Sequence, residues 1–130
     1  MDQGSIADAA RPSWVELPLG ARVFRLAHLG WGIVSLAALA RIWWGVATGR
    51  RGRAGWASVA WLVLEGVALV IGRGDCPAGS LQRRLGDPVP MFELVLPPRA
   101  AKAAIPVLLV VSLAGIAGLL APRRSAAPSR

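Results

Sequence analysis

The sequence predicts an all-α fold: a three-span helical integral membrane protein with a long Pro-rich connection between spans two and three. Hydrophobic residues make up 55% of the 130-residue chain, and 15 glycines add to this apolar share. That share exceeds the roughly 45–50% of soluble domains, and a chain this short cannot bury so much in a soluble core. Residues 54–72 and 103–121 carry only one charge between them, that of Glu65. Such runs match the ~20 residues with which a helix crosses a bilayer.

The basic residues point to lipid as the partner of this chain. The formal net charge is +8. Most arginines lie close to the ends of apolar runs, as juxtamembrane anchors facing anionic headgroups do. They include Arg22, Arg25, Arg50, Arg51, Arg53, Arg99, Arg123 and Arg124. No basic–aromatic recognition module accompanies them, so the sequence predicts a bilayer partner and no nucleic acid.

The first span is predicted at residues 23–47. It follows a polar tail, residues 1–20, which has no apolar core of a cleavable signal peptide, so we expect the span itself to direct insertion. His28 and Arg41 lie within it. Arg41 is close enough to one end for its guanidinium to reach the interface. Residues 48–53, with two glycines and three arginines, predict a tight turn.

The second span, residues 54–72, carries Glu65 slightly past its middle. In the connection that follows, Ser80–Leu85 is predicted to form a short helical segment. Val89–Leu96 is apolar but too short to span a bilayer as a helix, and prolines bracket and interrupt it. It is therefore predicted to be extended or interfacial.

The third span is predicted at residues 98–121, followed by a polar tail at 122–130. Pro98 suits the first helical turn because its missing N–H would have no partner there. Pro106 is expected to kink the helix. Ala114 and Gly118 form a small-xxx-small pair, which lets another helix approach closely and predicts possible contacts with other subunits or self-association. Residues 1–130 are read as a single membrane domain.

The predicted location is the inner (plasma) membrane, with multiple passes. Three spans place the N-terminus and the long connection on one side, and the short turn and the C-terminus on the other. A raw count of basic residues favours the first side as cytoplasmic, whereas their density beside the first span favours the turn. We expect the N-terminus and the Cys76 connection to lie outside.

Polar residues within the spans define a candidate intramembrane polar site: His28, Ser35, Ser58 and Glu65. His28 and Ser35 share one face of the first helix, and Ser58 and Glu65 share one face of the second. The site is either a structural pair that fixes helix register or a proton-coupled or ligand-binding site. Depths counted from the outer ends of the spans predict that Glu65, at about 10 Å, pairs with His28, at about 7–8 Å.

A second candidate is the loop motif Asp75-Cys76-Pro77, together with Glu93. The single cysteine excludes an intramolecular disulfide. Asp75 disfavours a reactive thiolate, and turn chemistry explains the motif equally well. A haem or metal site would use His28 with Cys76 or Glu65, but no second histidine or ligand spacing supports one. No cofactor and no metal are therefore predicted.

These motifs resemble a family of small bacterial membrane proteins with three spans that is known only as a domain of unknown function. That family has a histidine early in its first span and a Cys-Pro-Leu-Thr motif after its second. Here His28 and Cys76-Pro77 occupy similar positions, and Phe92-Glu93 resembles a later family motif. Ala78-Gly79 replaces Leu-Thr, and Gln82 replaces an acid. The resemblance covers about residues 22–121 and implies an architecture but no activity.

The sequence indicates no catalytic residues, and an enzyme is the less favoured interpretation. The predicted function is a small interaction or accessory subunit of the inner membrane. The alternative is a membrane protein that binds a cofactor, quinone or metal, or relays protons, through His28, Glu65 and Cys76.

Overall fold

The fold is all-α in the part of the chain that the computed structural model describes, residues 12–72 and 77–122. The α-helices are α1 (Leu19–Thr48), α2 (Arg53–Ile71), α3 (Pro77–Arg84) and α4 (Pro98–Leu120). Two 3₁₀ helices accompany them, Trp14–Glu16 and Met91–Leu94. Helices α1, α2 and α4 are long and apolar enough to cross a membrane, which confirms the predicted three-span class.

The spans agree with the prediction within one residue, except at the start of α1. This helix begins at Leu19, four residues before the predicted boundary. Leu17, assigned to a polar tail, is fully buried. The guanidinium of Arg22 donates hydrogen bonds to the carbonyl oxygens of Leu17 (2.8 Å) and Val15 (2.5 Å). The chain before the span is therefore folded back onto α1, because the arginine at its start binds backbone as well as facing solvent.

Glycine and proline set the ends of the spans. Gly49 follows α1 in the left-handed conformation with φ of 71°, which glycine adopts without steric cost. The tight turn predicted at residues 48–53 is confirmed, with α2 starting at Arg53. Pro98 is the first residue of α4, and Pro106 lies inside that helix.

Helix α1 is central and packs against both α2 and α4. A small core of Ala38, Ile42 and Leu62 joins α1 to α2, and Ile116 of α4 packs against it. Only 11% of the most apolar window of each long helix is buried inside the protein. The remaining surface consists largely of exposed leucine, valine, isoleucine and tryptophan. Water solvates such a surface poorly, whereas the bilayer supplies the missing apolar contact.

Glycines allow α1 and α4 to approach closely near the tight turn. A Cβ atom at Gly115 would lie 3.1 Å from Ile42, and one at Gly118 would lie 3.3 Å from Val46. Gly118 of the predicted small-residue pair therefore faces α1 of its own chain, whereas Ala114 is exposed. The close helix approach occurs within the chain, and self-association through this pair stays a prediction.

The start of α1 extends beyond the end of α2. Helix α1 has 30 residues and α2 has 19, so at 1.5 Å per residue they measure about 45 Å and about 28 Å. The tight turn aligns them at one end, which leaves roughly 16 Å of α1 projecting at the other. We call residues 77–97 the cap, because this segment packs around the projecting part.

The cap contacts α1 at two of its glycines. Leu85 lies 3.8 Å from the Cβ position of Gly20, and Met91 lies 3.2 Å from that of Gly32. The helix predicted at Ser80–Leu85 is confirmed by α3. Val89–Leu96 was predicted to be extended or interfacial, and the extended alternative is wrong for Met91–Leu94, which forms a 3₁₀ helix, while Val89 is buried. The reason is tertiary, since Met91 fills the space that Gly32 leaves on α1. The interfacial alternative stays a prediction.

Candidate functional site

A buried ion pair joins the start of α1 to the cap. Nε of Arg25 donates to Oδ2 of Asp87 at 2.7 Å and Nη2 donates to Oδ1 at 2.5 Å, so one edge of the guanidinium binds both carboxylate oxygens. The side chain of Asp87 has no exposed surface and that of Arg25 has 11%. Trp14 covers the guanidinium, with its ring centroid 5.8 Å away. The pair connects residues that are 62 positions apart in the chain.

Gln82 extends this cluster to His28. Its amide Nε2 donates to Oδ2 of Asp87 (2.8 Å) and to the carbonyl of Val89 (2.7 Å). Both amide hydrogens are thereby used, so Oε1 is the atom that faces Nδ1 of His28, at 3.2 Å. An amide oxygen only accepts, and Nδ1 of His28 must therefore carry the proton. Gln82 fixes the tautomer and the ring orientation of His28.

The surroundings of Asp87 favour its ionised form. Burial acts to raise the pKa of this carboxyl group, but hydrogen bonds from Arg25, the Val89 backbone and Gln82, with the charge of Arg25, outweigh it. The pKa of Asp87 is consequently lowered from its ordinary value of 3.8. The cap cluster, Arg25, His28, Gln82 and Asp87, is thus a charged, hydrogen-bonded connection at the end of the bundle.

A second cluster lies between α1 and α2, and we call it the membrane cluster: Trp31, Ser35, Trp61 and Glu65. Oε1 of Glu65 accepts hydrogen bonds from Nε1 of Trp31 (3.1 Å) and Oγ of Ser35 (3.0 Å). Oγ of Ser35 in turn accepts from Nε1 of Trp61 (3.0 Å). The two indole rings pack with centroids 4.3 Å apart. Glu65 is partly buried among neutral hydrogen-bond donors.

The predicted pairing of His28 with Glu65 is replaced by these two separate clusters. The hydrogen bonds found for Glu65 go to Trp31 and Ser35, whereas Nδ1 of His28 faces Gln82. The prediction counted depths from the outer ends of the spans, but α1 projects beyond α2 there. Counted from the tight turn, Glu65 lies about 18 Å along α2 and Ser35 about 20 Å along α1, which brings them level.

Ser58, Pro77 and Glu93, the other predicted site residues that the structure describes, lie in three different helices. Ser58 donates to the carbonyl of Ala54 in its own helix (2.9 Å). Glu93 lies partly buried in the 3₁₀ helix Met91–Leu94. Pro77 starts α3. Asp75 and Cys76 lie outside the described residues, and the loop motif stays a prediction.

Sequence reasoning missed the two residues that organise the cap, Gln82 and Asp87, as well as Trp31 and Trp61 in the membrane cluster. Asp87 precedes Pro88 in a turn, where an acid is usually explained by local hydrogen bonding. Arg25 at a helix end is usually explained by the interface. No local pattern indicates that these two charges meet, because the contact depends on how the cap folds back.

The structure offers no preformed metal centre within residues 12–72 and 77–122, since no group of three or more metal-ligating side chains is found there. Comparison with family models, with curated proteins and with solved structures gave no match for the chain.

Proposed function

We propose that this chain is a small accessory subunit of the bacterial inner membrane that acts by binding another membrane protein. The observation that carries the proposal is the separation of His28 and Glu65 into the cap cluster and the membrane cluster. A haem, quinone or metal site that used both His28 and Glu65 would need the two side chains to converge. Instead, Gln82 and Asp87 organise the first, and two tryptophans and a serine surround the second.

The clusters suit a scaffold that presents a fixed surface. The cap cluster ties the projecting start of α1 to the segment between α2 and α4, and the membrane cluster sets the register of α1 against α2. A binding surface gains affinity when it is held in one conformation before the partner arrives. We also propose that the chain belongs to the three-span family of unknown function that it resembles, and such a role is compatible with that family's architecture.

A second candidate function, proton relay or ligand binding through Glu65, is favoured by one observation. Glu65 is an ionisable side chain within a membrane span, and such residues are costly and often functional. Absorbance near the Soret band and elemental analysis of the purified protein separate the two functions. A copurifying haem or a stoichiometric metal would favour this second function.

The proposed orientation places the tight turn in the cytoplasm and the N-terminus and cap outside. Arg50 and Arg53 in and beside the turn are exposed and free to meet anionic headgroups. On the other side, Arg22 donates to backbone carbonyls and Arg25 is held by Asp87. The arginines beside the first span that remain available to lipid are therefore densest at the turn, which supports this orientation.

Photocrosslinking in cells tests the accessory role. A photoreactive amino acid is placed at lipid-facing positions of α1 and α2, Val34 and Leu64, and of α4, Val110 and Leu113, all of which are exposed. A subunit that binds one partner gives a protein adduct of defined mass from one helix face and lipid adducts from the other. Lipid adducts alone at all four positions would contradict the proposal.

A further inference from the structure

Within the described part of the chain, only one of the two oxygens of the Glu65 carboxylate accepts a hydrogen bond. Oε1 accepts from both Trp31 and Ser35, but none of the described residues donates to Oε2. Glu65 lies about 18 Å from the start of α2 and about 9 Å from its end, well inside the apolar span. A carboxylate oxygen at this depth is costly unless a hydrogen-bond donor or a cation binds it, since the hydrocarbon provides neither.

No basic side chain of the described chain lies at the depth of Glu65. Between Arg53 and Ile71 the helix α2 contains no lysine or arginine. Arg25 is already bound to Asp87. Arg41 lies seven residues before the end of α1, about 10 Å from the turn, so it is some 8 Å nearer that surface than Glu65. A second copy in the same orientation would carry its own Arg41 at that same mismatched depth.

A shallow groove between α1 and α2 reaches Trp61, one helical turn from Glu65. Val34, Ala37 and Ala38 of α1 and Ala57, Ser58 and Trp61 of α2 line a shallow space of about 340 Å³, which we call the α1–α2 groove. Most of these side chains are small, and small side chains let helix backbones approach closely within a membrane. Trp61 belongs to both the groove and the membrane cluster, through its bond to Ser35. Trp61 therefore connects the groove to the cluster that holds the Glu65 carboxylate.

We propose that the α1–α2 groove and Glu65 form a docking site for a transmembrane helix of another protein that carries an arginine or lysine at the depth of Glu65. The proposal deepens the accessory role and rests on it. The basic side chain donates to Oε2, while the bonds from Trp31 and Ser35 hold the carboxylate in place. The indole rings beside it supply faces on which a guanidinium can stack.

Charge complementarity decides the class of partner. An apolar helix would fill the groove but leave Oε2 without a donor. A helix with a neutral amide would supply a donor without matching the charge. A basic side chain supplies both, and an arginine can bind Oε2 while its planar group lies against an indole ring. The pairing also stabilises the partner helix in the membrane, since its basic side chain would otherwise be an unpaired charge in hydrocarbon.

The test uses the purified full chain in phosphatidylcholine vesicles and designed polyleucine transmembrane peptides as probes. Three peptides differ only at their central residue, which is arginine, glutamine or leucine, and association is measured by energy transfer. We expect the arginine peptide to bind the wild-type chain, and Glu65→Gln to weaken that binding by about threefold to thirtyfold, as a loss of ~0.6–2 kcal/mol implies. Glu16→Gln, which changes an exposed carboxylate outside the spans, should leave binding unchanged.

A second variant tests the groove separately. Ala57→Leu fills the groove at an exposed position, so the variant should remain folded and still bind the arginine peptide less well. Equal binding of the arginine and leucine peptides, or no effect of Glu65→Gln in a protein that keeps its helical content, would overturn the proposal. A glutamine peptide that binds as tightly as the arginine peptide would overturn the requirement for a basic partner.

Pairing between copies of the chain is measured in the same vesicles. If labelled copies associate, and if either Glu65→Gln or Arg41→Gln abolishes this association, the occupant of the α1–α2 groove is a second copy and the proposal is wrong. Protein adducts in cells combined with failure of the peptides would leave the accessory role in place and reject this site alone.

Discussion

Removal of Asp87 should weaken the whole fold, because this carboxylate holds the cap to α1. Asp87→Ala removes two hydrogen bonds from Arg25, one from Gln82 and one from the Val89 backbone. Breaking a buried ion pair by deleting one partner costs about 3–5 kcal/mol. Arg25 retains a small exposed fraction and lies at the end of the bundle, where it can turn toward headgroups. We therefore expect the lower end of the range, about 3 kcal/mol.

Unfolding in mixed micelles with increasing SDS, followed by circular dichroism, measures this loss. Asp87→Asn preserves the shape of the side chain and should be less damaging than Asp87→Ala. The double variant Arg25→Ala, Asp87→Ala should lose less than the sum of the two single variants, with a coupling of about 0.5–3 kcal/mol. Glu16→Ala, at an exposed carboxylate in the 3₁₀ helix Trp14–Glu16, is the control and should show no comparable loss.

The pH dependence of stability gives an independent check on the same carboxylate. The pKa of Asp87 is lowered in the folded protein, so its contribution to stability is complete above the ordinary value of 3.8 and is lost as the pH falls through the lowered pKa. Asp87→Asn should flatten this part of the acid denaturation curve. If Asp87→Ala unfolds at the wild-type SDS concentration and with the wild-type pH profile, the cap is not held by this pair.

Three further predictions follow from close contacts and backbone geometry. Gly115→Ala should lower the free energy of unfolding by about 1–3 kcal/mol, because the new methyl group meets α1 at 3.1 Å, whereas Gly66→Ala meets no atom within 4 Å and should not. Ser35→Ala should lower the free energy of unfolding by about 0.6–2 kcal/mol. The double variant Ser35→Ala, Glu65→Ala should lose less than the sum of the two single variants, and strict additivity would mean that the hydrogen bond between the two side chains contributes nothing. Gly86→Ala should cost about 1–2 kcal/mol in the same assay, since φ is 92° at this position, and an unchanged midpoint would show that the turn relaxes freely.

The spans were predictable because run length, terminal glycines and prolines are local properties. The second and third spans agree with the structure to within one residue at each end. The start of α1 was missed because Arg22 and Arg25 resemble interface anchors. Hydropathy cannot tell an arginine that faces lipid headgroups from one that binds Asp87 or backbone carbonyls.

The candidate site was predictable in part, since Glu65 and Ser35 were both singled out and do bind each other. The partner of Glu65 was misassigned because depth was counted from the free ends of two helices of unequal length. The tight turn is the common origin of α1 and α2, and the same rise per residue counted from there matches Ser35 to Glu65. The contact of Asp87 with Arg25 has no such local origin, because it depends on the folding of the cap.

Three helices that cross the bilayer place the tight turn and the cap on opposite sides of the membrane. Single cysteines in a Cys76→Ser background test this arrangement. Arg50→Cys reports on the turn and Arg84→Cys on the cap, and both positions are exposed. An impermeant maleimide applied to intact cells should label Arg84→Cys, and should label Arg50→Cys only after the membrane is opened. Labelling of both variants from the same side would contradict the three-span arrangement.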